Sequence, residues 1–218
     1  MTTFIPSLTL PASVFANPAA SVLLPIAVGS AVGFSVRRRS LPPFQDLQST
    51  KTFTATGDQK SYMALKQPPY RPSPQVFGPV WTGLYGLMGY AAHRAYTTGM
   101  ATTASTQKHL WTKHGATLYT IQLGLNLLWM PLFFVAKRPI EATVDVVALT
   151  GVTGYLTYLW GQVDPVAGWC LVPYLGWLGY ATYLSAGVGY LNNWTTKDKE
   201  VDSPPYTKDS KFVDEEGN

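Results

Sequence analysis

Charge-free apolar stretches alternate with polar connections along this chain. Five intervals contain no Asp, Glu, Lys or Arg, namely residues 1–36, 72–93, 115–136, 146–163 and 165–196. A helix needs about 20 mainly apolar residues to cross the ~30 Å hydrocarbon core of a bilayer, and each interval except the slightly short fourth meets that length. The pattern predicts an all-α membrane protein built as a five-transmembrane-helix bundle.

The ends of the predicted helices are set by charges, prolines and glycines. We predict spans at about residues 12–36, 77–96, 115–135, 141–161 and 166–194, within one membrane domain over residues 1–196. A long polar loop at 37–71 is interpreted as either disordered or a lid over a site. Residues 99–113 are predicted as a loop, and residues 197–218 as a disordered, solvated tail.

The mean hydropathy of +0.04 is low for a membrane protein. The polar loop and tail dilute this average, while the spans are rich in Gly, Trp and Tyr, which suits helices packed on one another and anchored at interfaces. A soluble all-helical core remains the alternative. The single cysteine, Cys170, excludes an intramolecular disulfide and a Cys-rich metal site, and the three histidines show no ligand spacing, so we expect no metal.

Lys and Arg residues are distributed unequally between the two sides of the predicted bundle. The 37–71 loop, the connection after the third span and the C-terminal tail hold all of them except Arg94, Lys108 and Lys113. The positive-inside rule therefore predicts that these three connections, including the C-terminus, are cytosolic. This orientation in the lipid bilayer accounts for the excess of Lys and Arg, and we expect no nucleic-acid partner.

Residues three and four apart share a face of a helix, and this spacing defines three stripes. They are Trp81, Tyr85, Met88 and Ala92 in the second span; Gln122, Asn126, Trp129 and Phe133 in the third; and Pro173, Trp177, Ala181, Leu184 and Val188 in the fifth. The amides of Gln122 and Asn126 are costly in lipid and should face inward. The stripes are either helix-packing faces or the walls of a shared ligand pocket.

Two carboxylates, Glu141 and Asp145, lie one turn apart at the start of the fourth span. Such a pair is compatible with acid and base catalysis. The favoured interpretation is anchoring at the interface, since both lie near a helix N-terminus and beside Lys137 and Arg138. Asp145 lies deeper, where an ionisable group is a functional candidate.

Several motifs in order resemble the TspO family, the translocator proteins also called peripheral benzodiazepine receptors. The resemblance covers about residues 62–192. Its motifs are Tyr62, Leu65-Lys66 and Pro68; Pro72 to Thr82 (PSPQVFGPVWT) with Leu84-Tyr85 and Met88-Gly89; Gln122-Leu123, Leu125-Asn126, Trp129 and Phe133-Phe134; and Pro173-Tyr174-Leu175 with Trp177, Ala181 and Leu184.

The resemblance implies a five-helix bundle, often a homodimer, that binds porphyrins, sterols and synthetic ligands between its helices. The family's pocket matches residues of the three stripes. With Gln122 and Phe133 added from the third-span stripe, the predicted ligand-binding residues are Trp81, Tyr85, Gln122, Asn126, Trp129, Phe133, Trp177, Ala181 and Leu184.

The resemblance also implies a function. We expect an integral multi-pass membrane protein that binds tetrapyrroles such as protoporphyrin IX, and other hydrophobic ligands such as sterols, as a receptor or regulator or in their transport. No covalently bound cofactor is expected, and a eukaryotic member would lie in the mitochondrial outer membrane, with other endomembranes as the alternative. The alternative is an enzyme that degrades porphyrin in light, in which Trp81 and Trp177 match the tryptophans implicated in some bacterial members.

Three departures from the family pattern limit what the resemblance implies. Ser61 stands where Trp is usual, and the loop before it is long. Ser185 replaces a common Asn in the fifth span. The C-terminal cholesterol motif requires a basic residue within five of its tyrosine, whereas the first after Tyr190 is Lys197. Sterol binding is therefore the least supported of the implied properties.

Overall fold

Five long helices form the described part of the protein. The computed structural model describes residues 4–39, 66, 68–70, 72–136 and 138–194. The helices are α1 (Pro18–Arg39), α2 (Pro74–Gly99), α3 (Thr106–Met130), α4 (Pro139–Val163) and α5 (Pro165–Leu191). These described residues contain no strand, and the predicted all-α class is confirmed. Most of the 37–71 loop, including Ser61, and the tail at 197–218 lie outside the described residues.

Three helical stretches are long and apolar enough to cross a membrane: Pro18–Val36, Pro139–Val163 and Thr106–Val135, the last of which extends five residues beyond α3. With 26 and 27 residues, α2 and α5 are also long enough to span a bilayer at 1.5 Å per residue. They are rich in glycine, proline, tyrosine and tryptophan, which contribute little to hydropathy. The crossing of the membrane by all five helices remains a prediction.

The predicted first span is divided near its start. A short helix, Ala12–Ala16, ends at Asn17, and α1 begins at Pro18. The Asn17 side chain accepts hydrogen bonds from the backbone N–H groups of Ala19 and Ala20 at 2.9 and 3.2 Å. Asparagine before a proline at the first helical position is a typical helix start. A new helix therefore begins here, although the continuous apolar run predicts a single span.

The helix α3 begins earlier than predicted, so the second half of the predicted 99–113 loop is wrong. Ser105 caps the helix by accepting a hydrogen bond from the Lys108 N–H at 3.3 Å. His109 and His114 therefore lie on a helix rather than in or beside a loop. The charge of Lys108 is compatible with the helix because its long side chain reaches the Val163 carbonyl, at 3.1 Å.

A π-helical turn, Pro131–Val135, continues α3 beyond Met130. Pro131 has no N–H to donate, and the Ala136 N–H instead bonds the Pro131 carbonyl at 2.9 Å. The turn carries Phe133 and Phe134. After it, α4 and α5 are separated by Asp164 alone and pack closely, because Gly161 and Gly168 face each other: a Cβ on Gly168 would lie 2.8 Å from the Gly161 Cα.

The N-terminal segment closes one end of the bundle. The Phe15 ring is 1% exposed, stacks on Tyr96 at 5.6 Å between ring centroids and meets Tyr119 edge-on at 5.7 Å. The Nδ1 atom of His93 lies 2.9 Å from the Phe15 carbonyl oxygen. Thr117 also holds the segment, through the Ile5 N–H at 3.2 Å. Burial of these rings fills this end, and the opposite end is left for a cavity.

At the same end, Asp164 joins α2 to the α4–α5 turn. It accepts hydrogen bonds from Arg94 Nε at 2.9 Å, Thr98 Oγ1 at 3.1 Å and the Val166 N–H at 2.9 Å. Burial raises the pKa of Asp164, but the bonds from Arg94, Val166 and Thr98 outweigh it and the pKa lies below its ordinary value. Asp164 is thus held ionised while it caps α5.

Replacement of Asp164 should separate these two roles. Asp164→Asn keeps an oxygen that accepts from the Val166 N–H but loses the negative charge that pairs with Arg94. Asp164→Ala loses both interactions, and loss of the helix cap alone should destabilise the protein by roughly 1 kcal/mol. We expect thermal stability in detergent to fall in the order wild type, Asp164→Asn, Asp164→Ala. The control is Glu141→Gln, which removes only the exposed 3.3 Å pair with Arg138 and should change little.

The same variants predict a pH dependence. A lowered folded-state pKa means that ionised Asp164 stabilises the fold above its unfolded pKa of about 3.9, and that this stabilisation is lost as the pH falls through the folded-state value. The difference in melting temperature between wild type and Asp164→Asn should therefore be constant near neutral pH and shrink below about pH 4. A difference that grows on acidification would contradict this account.

Candidate ligand-binding cavity

An apolar cavity of about 410 Å³ lies between the helices, in the half of the bundle opposite Phe15. All five long helices contribute to its wall. The lining residues are Gly29, Ser30 and Gly33 of α1; Phe77, Gly78, Trp81, Thr82 and Tyr85 of α2; Asn126, Trp129 and Met130 of α3, with Phe133 and Phe134 of the π turn; Val146 and Leu149 of α4; and Trp177, Leu178, Ala181, Leu184, Ser185 and Val188 of α5. Its volume falls within the range of small-molecule sites.

Two groups of aromatic rings form part of the wall. The Trp81 ring meets Trp177 at 6.4 Å with an interplanar angle of 84°, and Phe77 meets Trp177 at 5.8 Å. In the second group, the Trp129 ring stacks on Phe133 at 5.2 Å with an interplanar angle of 18°. The rings are therefore held in fixed orientations by one another, and they present both faces and edges to the cavity.

A chain of hydrogen bonds between side chains closes the floor of the cavity. Tyr85 donates to Asn126 Oδ1 at 2.7 Å, Asn126 Nδ2 donates to the Tyr174 oxygen at 3.0 Å, and Tyr174 donates to Gln122 Oε1 at 3.1 Å. Gln122 Nε2 is 3.4 Å from Met88 Sδ. All of these residues are buried. Because each polar group has a partner, the floor is stable without water or ligand.

Eight of the nine predicted ligand-binding residues line the cavity. They are Trp81, Tyr85, Asn126, Trp129, Phe133, Trp177, Ala181 and Leu184. Gln122 does not: it is 0% exposed and lies one turn deeper, in the hydrogen-bonded floor. Pro173 is exposed, and the inward position belongs to its neighbour Tyr174. Ligand binding by the eight lining residues remains a prediction.

Comparison with known proteins shows which family this chain belongs to. The TspO/MBR family model matches residues 21–191, which include every lining residue. The chain belongs to the TspO/MBR family. It is 44% identical over 136 residues to the translocator protein homolog of Schizosaccharomyces pombe, across 62% of this chain and 79% of that protein.

More distant relatives cover a similar part of the sequence. The chain is 37% identical over 124 residues to the human translocator protein, across 57% of this chain and 70% of the human protein. It is 35% identical over 140 residues to the tryptophan-rich protein TspO of Archaeoglobus fulgidus, across 64% and 85% of the two chains. The expected family membership is confirmed.

Sequence reasoning missed the contribution of α1 to this TspO/MBR cavity. Gly29 and Gly33 line it, and a Cβ on Gly29 would overlap the Tyr85 ring, which bonds Asn126. Glycine pairs spaced by four on an apolar helix indicate close helix packing. The sequence shows this glycine pair but does not show that the helix packed against Gly29 is α2.

Residues 66 and 68–70, a described part of the predicted 37–71 loop, are fixed to the C-terminal half of α5 and to Asn192 after it. Lys66 and Asn192 exchange two hydrogen bonds, from the Lys66 N–H to Asn192 Oδ1 at 3.0 Å and from Asn192 Nδ2 to the Lys66 carbonyl at 2.8 Å. Tyr183 donates to the Pro69 carbonyl at 3.2 Å, and Tyr180 to the Tyr70 carbonyl at 2.6 Å. The described residues of the predicted lid thus lie along the half of α5 that lines the cavity. None of these lid residues lines the cavity itself.

The two carboxylates considered for acid and base catalysis are separate. Glu141 is exposed and pairs with Arg138 at 3.3 Å, as the anchoring interpretation predicts. Asp145 is 6% exposed, and its Oδ2 has no hydrogen-bond partner among the described residues. Neither residue lines the cavity. They do not form an acid–base pair at the candidate site.

Gly29→Ala should displace Tyr85 and break its hydrogen bond to Asn126. Thermal unfolding in detergent should therefore show a lower midpoint than wild type. The matched control is Gly83→Ala on α2, where an added Cβ has nothing within 4 Å; there the better helix propensity of alanine should leave stability unchanged or raise it by up to about 1 kcal/mol. Equal effects at the two positions would contradict the proposed close approach of α1 to Tyr85.

Proposed function

We propose that this TspO/MBR protein binds tetrapyrroles, protoporphyrin IX among them, and other hydrophobic ligands such as sterols in the cavity, as a receptor or regulator or in their transport. The observation that carries the proposal is the convergence of Trp81, Trp129 and Trp177, from three helices, on one apolar cavity of about 410 Å³. Flat aromatic ligands pack favourably against such rings, both by stacking and edge-on.

The polar floor supports binding of a ligand that is mostly apolar. Tyr85 and Asn126 face the cavity but already bond to each other, and Asn126 also bonds to Tyr174. A ligand therefore gains little by offering polar groups to the floor, and the main driving force is burial of apolar surface against the wall. Sterol binding has this apolar lining as its support, since the spacing of the C-terminal cholesterol motif is not met.

Binding should depend on Trp177 much more than on an equivalent tryptophan outside the cavity. We expect Trp177→Ala to weaken protoporphyrin IX binding about tenfold, because loss of an aromatic wall removes roughly 1.5 kcal/mol of packing. The measurement is a titration in detergent that follows quenching of the remaining tryptophan fluorescence. The control is Trp169→Ala on the same helix; Trp169 is 73% exposed and does not line the cavity.

The two variants together decide the location of binding. Trp169→Ala should retain wild-type affinity. An equal loss in both variants, or no loss in Trp177→Ala, would contradict binding in the cavity, and absence of quenching in the wild type would contradict the proposed function itself.

The enzymatic alternative has one favourable observation, the contact between Trp81 and Trp177 at 6.4 Å on the cavity wall. Light-dependent breakdown of a porphyrin would require the macrocycle to lie against these indoles. On the binding-protein account, Trp81→Phe and Trp177→Phe keep an aromatic wall and leave the rate of porphyrin bleaching under illumination equal to that of the wild type. A loss of bleaching in these variants, at unchanged occupancy, would favour the enzyme.

A further inference from the structure

The cavity is open on one side rather than fully enclosed. Of the described residues that line it, only three are exposed: Ser30 on α1, and Gly78 and Thr82 on α2. The lining residues that come from α3, the π turn, α4 and α5 are all buried or half-buried. The opening of the cavity therefore lies along the seam between α1 and α2.

The same seam is closed over the part that leads away from the cavity. A Cβ added to Gly89 would overlap the backbone carbonyl of Ser21, and one added to Gly29 would overlap the Tyr85 ring. The two helices are thus in direct contact at both places. Past the contact of Gly29 with Tyr85 the seam is no longer filled, because a Cβ on Gly78 would have nothing within 4 Å.

Small residues form the rim of this opening. The rim consists of Ser30 and Gly33 on α1 and of Gly78 and Thr82 on α2, and we call it the lateral slit. It carries no charge, and the Thr82 hydroxyl is already bonded to the Gly78 carbonyl at 3.0 Å. An apolar molecule that passes this rim therefore does not have to displace water from a charged group.

The position of the slit along the helices places it inside the predicted membrane. Ser30 lies six residues before the end of the predicted first span, which corresponds to about 9 Å, and Thr82 lies five residues after the start of the second, about 7.5 Å. Exposed valines, Val28 on α1 and Val76 on α2, flank it. The slit should therefore face the lipid hydrocarbon rather than water.

We propose that the ligand enters and leaves the cavity sideways from the lipid, through the lateral slit between α1 and α2. This inference rests on the proposed function and adds the path by which its ligand reaches the site. An apolar ligand concentrates in the bilayer, and entry from there requires no transfer through water. The opposite end of the bundle is filled by the Phe15 ring. On this account Gly33 and Gly78 lack side chains where the ligand passes.

The test measures rates as well as affinity. The full-length protein is reconstituted in phosphatidylcholine nanodiscs, and stopped-flow quenching of tryptophan fluorescence follows binding and release of protoporphyrin IX. We expect Gly78→Leu and Ser30→Leu each to slow association and dissociation by the same factor, about tenfold, because a narrower slit raises the barrier in both directions. The dissociation constant is the ratio of the two rate constants, so it should stay unchanged.

Gly83→Leu is the matched control. Gly83 is also an exposed glycine of α2 whose added Cβ would have nothing within 4 Å, but it does not line the cavity. This variant should keep both wild-type rates. Unchanged dissociation constants in the slit variants also show that they are folded.

A second measurement tests which medium the slit faces. A bimane label is placed on Thr82→Cys in a Cys170→Ala background, which removes the single native cysteine. Phospholipids brominated on their acyl chains should quench this label, and iodide in the water should not. The same label on Thr102→Cys, exposed between α2 and α3, should show the reverse. Quenching of the Thr82 label by iodide alone would overturn entry from the lipid.

The rate measurements have equally clear contrary outcomes. Unchanged rates in Gly78→Leu and Ser30→Leu, equal slowing in Gly83→Leu, or weaker binding with faster release in the slit variants would each overturn lateral entry. The proposed function would stand in these cases, since the wild type still binds. If the wild type shows no quenching by protoporphyrin IX, the proposed function fails and lateral entry fails with it.

Discussion

Buried polar groups in an apolar bundle must find partners within the protein, because the lipid hydrocarbon offers none. The chain of hydrogen bonds from Tyr85 through Asn126 and Tyr174 to Gln122 meets this requirement at the centre of the fold. It joins α2, α3 and α5, the helices that carry the aromatic wall. The orientation of that wall, and the depth of the cavity above it, depend on these bonds. Close approach of α1 at Gly29 holds the Tyr85 ring against Asn126.

The two ends of the bundle differ in how they are closed. At one end, Phe15 fills the space between helices and Asp164 ties α2 to the α4–α5 turn through its bonds with Arg94. At the other end the five helices enclose the cavity, and Lys66 exchanges hydrogen bonds with Asn192. The filled end and the cavity thus lie in opposite halves of the bundle. This division places the cavity next to the predicted cytosolic side.

The inward stripes on α2 and α3 were largely predictable, because which residues share a face depends only on the local helical period. The order of family motifs then indicated that Trp81, Asn126 and Trp177 belong to one site. The position of Gln122 below the cavity was not predictable. It depends on how far the helices are shifted along one another, and the sequence of one helix does not determine that shift. The charge of Lys108 predicts a loop at that position, yet α3 begins earlier because the long lysine side chain reaches past the helix to the Val163 carbonyl.

The central claim is that one flat apolar ligand lies among Trp81, Trp129 and Trp177. The most direct measurement is the nuclear magnetic resonance spectrum of the tryptophan indole N–H groups in detergent, recorded with and without protoporphyrin IX. A bound macrocycle has a strong ring current, so the account predicts large shifts for these three indoles and unchanged signals for Trp160 in the core and Trp169 on the exposed surface. Shifts confined to Trp169, with the three cavity indoles unchanged, would contradict it.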